Sequence, residues 1–314
     1  MKKFLVLLFF ILFMAICEVG KYFFNYQFFY VALTFQVLGM ILAVWIFASK
    51  KTYNKILSVF SFILCLTLSL QNFVILTEHK NGSGNYEYIV HGAGGLDGNS
   101  YLNSQEGFIY YVQNGYKYIE LDFLYTSDGQ IVCSHFFEHS DELNFYSRPT
   151  FEQFSSTLLE GKYHGITMPW LIQNLEMYSD ITIIFDTKEE DTQNMLEDLS
   201  YILQQNDIDL NRFIIQVYSK ENYEQIKENN EIKFTRFWYT NYKMHYNSPQ
   251  ILNFFEDKSD IEAYVLYILD WWVFTEFDFN TSKSIVVHTV HDKGFSDFIT
   301  SKNVDYVYID EPLE

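Results

Sequence analysis

Glu120 and Asp122 stand two residues apart in the run Tyr118-Ile-Glu-Leu-Asp-Phe123. On a β-strand that spacing aims both carboxylates at one face, while Ile119, Leu121 and Phe123 point the other way. Two carboxylates on an inward face repel each other unless a cation or a base lies between them. Hard oxygen donors suit Ca2+ or Mg2+. An exposed edge strand would also tolerate the pair. Asp186, which ends a later run, adds a third carboxylate and makes a divalent-cation site the better expectation. His91 and His135 also close β-rich runs. Imidazole is suited to general acid and base work, although a single histidine is more often structural. Lys188 follows Asp186 by two residues and could neutralise a phosphate, whereas its neighbours Glu189 and Glu190 would equally suit a surface lysine. Gln216, His288, His291 and Asp310 recur at the ends of later runs.

The elements that must position these residues alternate. Short β-rich runs at 88–91, 118–123, 131–135, 181–186, 213–217, 234–238, 263–268, 285–289 and 306–309 are separated by polar or helical stretches such as 105–114, 192–206 and 220–229. Strand–helix alternation over about 230 residues predicts a mostly parallel sheet with crossover helices. Nine runs suit an α/β, TIM-like (β/α)8 barrel plus one hairpin strand, with Ser127-Asp128-Gly129 as the hairpin turn. An open doubly wound sheet usually carries a glycine-rich nucleotide loop after its first strand. Here that strand ends in His91-Gly-Ala-Gly-Gly95, which lacks the spacing. In a barrel, the C-terminal strand ends form the active-site rim, and that is where the ionisable residues fall.

The first third of the chain is different. Apolar runs cover residues 4–17, 28–48 and 56–76, and the second and third contain no charged residue. Each of those two is about as long as a bilayer core requires, and soluble helices of such length normally show a polar face. The pattern predicts a membrane anchor of about three transmembrane helices over 1–77, a Gly/Ser-containing tether over 78–86, and the barrel over 87–314. Lys2 and Lys3 precede the first run, and Lys50, Lys51 and Lys55 fill the connection before the third. Positive loops stay cytoplasmic, so a multi-pass protein of the cell membrane is expected, with its barrel on the extracellular face. The chain has 314 residues, a formal net charge of −19 and three cysteines, of which only Cys133 lies in the barrel region. So acidic a surface repels nucleic acid, yet a bound cation can reverse the sign inside one pocket.

The block from Tyr118 through Thr126-Ser-Asp-Gly-Gln-Ile-Val-Cys-Ser-His135 resembles the second-strand block of glycerophosphodiester phosphodiesterases, part of the phosphatidylinositol phospholipase C-like superfamily. That block sets a Glu-x-Asp metal pair ahead of an Asp-Gly turn and a catalytic histidine. Upstream, His91-Gly92 and Asn103-Ser-Gln-Glu-Gly-Phe108 resemble the family's opening histidine and Asn-Thr helix start. Downstream, Phe185-Asp-Thr-Lys188, Val287-His-Thr-Val290 and Val304-Asp-Tyr-Val-Tyr-Ile-Asp310 resemble later strand ends. The likeness runs in order through residues 86–314.

The resemblance implies a barrel that hydrolyses a glycerophosphodiester, a phospholipid headgroup or a related surface polymer with Ca2+ or Mg2+. It implies Glu120, Asp122 and Asp186 as metal ligands, His91 and His135 as the acid–base pair, and Lys188 at the phosphate. Three departures stand out. Gly92 replaces the arginine that follows the first histidine, Leu102 replaces an acid, and Asp186 is one methylene shorter than the usual glutamate. The expectation is that Gly92, with Gly94 and Gly95, offers backbone N–H groups to the phosphate instead. The competing expectation is a barrel without catalysis that binds a surface ligand or protein partner. The lysine distribution yields one direct test. A reporter that works only outside the cytoplasm, fused after Glu314, should be active, and activity of a cytoplasm-only reporter at that position would overturn the orientation.

Overall fold

The computed structural model describes residues 86–135, 148–187, 189, 191–240, 249–267, 281–290 and 304–312, together with Val59, Ile63, Cys65, Leu66, Ser296 and Ile299. Tyr86–Thr289 with Val304–Leu313 forms one compact unit, and this unit is the barrel. Among the described residues no helix is long and apolar enough to cross a membrane. The expected spans at 4–17, 28–48 and 56–76 lie outside the described residues, apart from four helical positions at Val59, Ile63, Cys65 and Leu66.

In chain order the strands are β1 (Glu87–Val90), β2 (Tyr118–Tyr125), β3 (Ile131–Cys133), β4 (Leu158–Leu159), β5 (Tyr163–His164), β6 (Ile166–Thr167), β7 (Thr182–Thr187), β8 (Phe213–Val217), β9 (Phe237–Thr240), β10 (Ile261–Tyr267), β11 (Ser284–Val290) and β12 (Tyr306–Ile309). β1 pairs in parallel with β12 on one side and β2 on the other, so the sheet closes. The ring runs β1, β2, β7, β8, β9, β10, β11, β12, an eight-stranded parallel barrel. The expected hairpin is present. β3 returns antiparallel along the end of β2, and the Thr126 amide donates to the Gln130 carbonyl across the turn at 2.8 Å. β6 then pairs antiparallel with β3, while β4 and β5 make a small separate hairpin.

Helices follow most strands. α1 (Gln105–Gln113) begins at Ser104, whose hydroxyl accepts from the Gly107 amide. α2 (Phe151–Ser156) starts in a reciprocal Thr150–Gln153 capping box. α3 (Met168–Met177), α4 (Thr192–Gln205), α5 (Lys220–Glu228) and α6 (Pro249–Glu256) follow. α4 buries Met195, Leu196, Leu199 and Leu203, a stripe at helical spacing. Arg212 donates to the carbonyls of Leu175, Tyr178 and Ile181, which satisfies acceptors that the end of α3 leaves open. One strand lies later than its sequence pattern implies: β9 occupies Phe237–Thr240 rather than 234–238. Phe234 instead packs its ring near Phe213, and Arg236 forms a two-pronged ion pair with Glu262, so pairing starts only after both.

The turn that carries His91 depends on α1. A Cβ on Gly107 would sit 2.5 Å from the Ala93 carbonyl oxygen, which is backbone and cannot swing away. Gly107→Ala is therefore expected to destabilise the barrel by about 1–3 kcal/mol through overpacking. It should appear as a lower denaturant midpoint at unchanged slope, and an unchanged midpoint would show that the turn yields freely.

Candidate active site

Strand alternation puts an apolar layer inside the barrel. Ile89, Ile184, Ile214, Trp238, Ala263, Val265, Val286 and Tyr308 pack there, with Tyr118 and Tyr306 against them. Two residues further along, the same inward face becomes polar at His91, Asp186, Gln216, Thr240, Tyr267, His288 and Asp310. β2 contributes Glu120 and Asp122 beyond Tyr118. A water-excluding floor thus lies beneath a ring of hydrogen-bonding groups at the C-terminal strand ends, the place where barrel chemistry is done.

The carboxyl groups meet through register. β2 and β7 pair so that Asp122 lies beside Asp186 and Glu120 beside Ile184. One carboxylate oxygen from each of Glu120, Asp122 and Asp186 lies within 4.8 Å of the others, and all three residues are buried. Neutral donors hold each in place. The Gly92 amide donates to Glu120 Oε2 at 2.6 Å. Asn103 Nδ2 donates to Asp122 Oδ2 at 2.8 Å, while Asn103 Oδ1 accepts from the Asp122 amide at 3.0 Å. The Tyr218 hydroxyl donates to Asp186 Oδ1. Burial, then the adjacent Asp186, pushes the Tyr218 phenol well up, so it remains a neutral donor.

This donor set fits a hard divalent cation. So does Tyr308, whose hydroxyl is buried and has no hydrogen-bond partner among the described residues. Burial, followed by Glu120, Asp186 and Asp122, raises that phenol well above its ordinary range. A neutral buried hydroxyl beside three carboxyl groups is the group that a water on a cation would satisfy.

Two imidazoles border the cluster, each backed by a carboxylate. His91 Nδ1 lies 2.8 Å from Asp310 Oδ1, and its Nε2 lies 3.9 Å from Glu120 Oε2. His135 Nδ1 lies 3.1 Å from Asp122 Oδ1. An ionised carboxylate only accepts, so each Nδ1 carries the proton, and Nε2 is the ring atom suited to exchange one with a substrate. Tyr101 stands at both rings, 4.5 Å from the centroid of His91 and 6.2 Å from that of His135. Burial, with Asp310 and Asp122 nearby, pushes the Tyr101 phenol up to about 12.

The structure therefore brings together Glu120, Asp122, Asp186, His91 and His135. It places Gly92 beside them in a different relation from the one its sequence implies, because its amide is bonded to Glu120 Oε2 rather than standing open to an anion. Lys188 lies outside the described residues. Sequence reasoning set Asp310 at a strand end on the two-residue period of β12 without its role at His91, and it missed the roles of Asn103, Tyr101 and Tyr218. Tyr218 lies two residues beyond Gln216, on the same alternation just past β8, and could have been found the same way.

The fold and site define a TIM-like barrel with an acid–histidine centre at the C-terminal strand ends. No family sequence model matches the chain, and no curated protein matches it by sequence. Solved structures do resemble it. A glycerophosphodiester phosphodiesterase from Parabacteroides distasonis shares 17% identity at a TM-score of 0.55, over 73% of this chain and 94% of that one. An Oleispira antarctica phosphodiesterase, solved in complex with the product sn-glycerol-3-phosphate, shares 14% identity at a TM-score of 0.57, over 72% and 93%. A Thermotoga maritima glycerophosphodiester phosphodiesterase shares 18% at 0.52, over 72% and 93%. At these identities the likeness is one of fold, and it is to the family that the Glu-x-Asp block resembles.

A cation on the carboxyl cluster should stabilise the folded barrel. Ca2+ or Mg2+ at about a hundred times its dissociation constant is expected to add about 2.7 kcal/mol, read as a higher Tm. Asp186→Asn should abolish the increment, and an equal increment in that variant would place the cation elsewhere.

Proposed function

We propose that this protein is a metal-dependent phosphoric diester hydrolase that acts on a glycerophosphodiester, a phospholipid headgroup or a related surface polymer. The observation that carries the proposal is the pair of carboxylate-backed imidazoles bordering one buried three-carboxyl cluster. Two imidazoles on the rim of one cluster, each held at Nδ1 by a carboxylate, suit proton transfer to and from a ligand. The likeness to solved phosphodiesterases supports the same reading by analogy of fold.

In this mechanism Glu120, Asp122 and Asp186 would hold Ca2+ or Mg2+, which supplies polarisation of the phosphoryl oxygens and a lower pKa for an attacking hydroxyl or water. The chain's own residues move the protons. One imidazole Nε2 accepts the proton of the attacking oxygen as the new P–O bond forms. The other imidazole, protonated, gives its proton to the departing alkoxide as the old P–O bond breaks. Asp310 and Asp122 keep both rings oriented. Tyr101 closes the space beside both rings. Lys188 is assigned to the phosphate on the strength of the resemblance alone.

The membrane assignment belongs to this proposal as well. Val59, Ile63 and Leu66 are helical, fall on one helix face, and expose 46%, 56% and 40% of their surface. Apolar side chains so disposed suit contact with lipid, and a barrel tethered to a membrane would meet lipid-derived diesters at the surface where they arise.

The full chain, purified with divalent cation, is expected to release sn-glycerol 3-phosphate or the corresponding phosphomonoester from a glycerophosphodiester, and chelation should stop it. His91→Ala and His135→Ala should each lower turnover by about 10²–10⁴-fold with little change in Tm. Full turnover in both variants would remove the acid–base assignment.

A further inference from the structure

The mouth of the barrel holds a third imidazole that the acid–base scheme does not use. His288 lies on the inward face of β11, half-buried. Its Nε2 is 3.4 Å from His91 Nε2, and the two ring centroids are 4.6 Å apart. The Thr289 hydroxyl lies 2.8 Å from His288 Nδ1. The other groups facing it are Tyr267 on β10 and Tyr308 on β12, with Asp310 behind His91. With His91 Nδ1 donating to Asp310, His91 Nε2 is an acceptor, and His288 Nε2–H is the donor aimed at it.

Glu120, Asp122, Asp186 and Asp310 bring four carboxyl groups to the mouth. An incoming phosphodiester is negative as well, so a hydrogen-bond donor at this rim has an oxygen to meet. Among the described residues at the inward strand ends, the only basic side chains are imidazoles. Residue 92, directly after His91, cannot contribute one. Gly92 has a φ of +54°, and a Cβ there would sit 2.8 Å from the Tyr101 Cα. Its amide is already bonded to Glu120.

We propose that His288 is a phosphate-contacting donor of this site: its Nε2–H turns from His91 Nε2 to a non-bridging phosphoryl oxygen when substrate enters. The contact gives the phosphoryl oxygen a hydrogen bond and leaves the His91 lone pair open to take its proton. The inference rests on the phosphodiesterase reading and adds to it a further residue that binds the anion.

Binding and turnover are measured on the full chain with divalent cation present, using sn-glycerol 3-phosphate as the binding probe and a glycerophosphodiester as substrate. His288→Phe keeps a ring against Tyr267 and Tyr308 and removes the donor. It should weaken probe affinity and raise KM by about 10–100-fold, the loss of a hydrogen bond to a charged group, with a smaller effect on kcat. His288→Arg should restore affinity to within a few-fold of the wild type, which a purely structural role would not allow. His288→Gln retains a neutral donor of similar reach and should fall between the two; it replaces the Phe variant if that variant fails to fold. Wild-type affinity in His288→Phe, or in His288→Gln, would overturn the proposal, as would equal weakening in the Arg and Phe variants at unchanged Tm. If the wild type binds the probe but hydrolyses no diester, the enzymatic reading fails, and the affinity series still decides His288.

Discussion

Three carboxyl groups buried within 4.8 Å of one another are the constraint around which the barrel mouth is organised. Buried like charges are tolerated only with a counter-ion or a dense set of donors. Among the described residues the Gly92 amide, the Asn103 side-chain amide and the Tyr218 hydroxyl donate to them, and two imidazoles stand beside them. The three donors orient the carboxyl oxygens without cancelling their charge. A three-carboxyl set of hard oxygens suits a divalent cation.

The same carboxyl groups serve more than one neighbour. Asp122 gives one oxygen to Asn103 and the other to His135, so the orientation of an imidazole and the position of a cation ligand are linked through one side chain. His91 is held by Asp310 and lies near Glu120. Proton transfer and cation binding are thus coupled through short contacts and not through separate modules. Below them, Trp238 and the branched residues of the apolar layer exclude water and fix the strand ends. This lets the polar layer depart from core packing without loss of the barrel.

Gly92 shows how backbone conformation can select side-chain chemistry elsewhere. Its positive φ and the proximity of Tyr101 leave no room for a long basic side chain after His91. The amide that remains is used to hold a carboxylate. Any positive counterpart to a bound anion must then come from another strand, and β11 is the one that brings an imidazole alongside His91.

Much of this was legible in the amino-acid order because it depends on local periods. Alternation sets Glu120 and Asp122 on one face of β2, the Ser-Asp-Gly turn sets the hairpin that returns His135, and nine β-rich runs match a closed ring with one added strand. The N-terminal apolar runs could be read only as sequence, since nearly all of them lie outside the described residues. What only the tertiary structure decided is which groups meet. Asp310 reaches His91 across 219 residues and His288 reaches it across 197, because β1 closes against β12 and β11 stands next to β12. Asp122 lies beside Asp186 by the register of β2 on β7; a slip of one residue would have turned Asp186 outward. A two-residue period is a property of one strand and can be read from its own residues. Closure and register are agreements between strands far apart in the chain, reached only when the whole barrel packs.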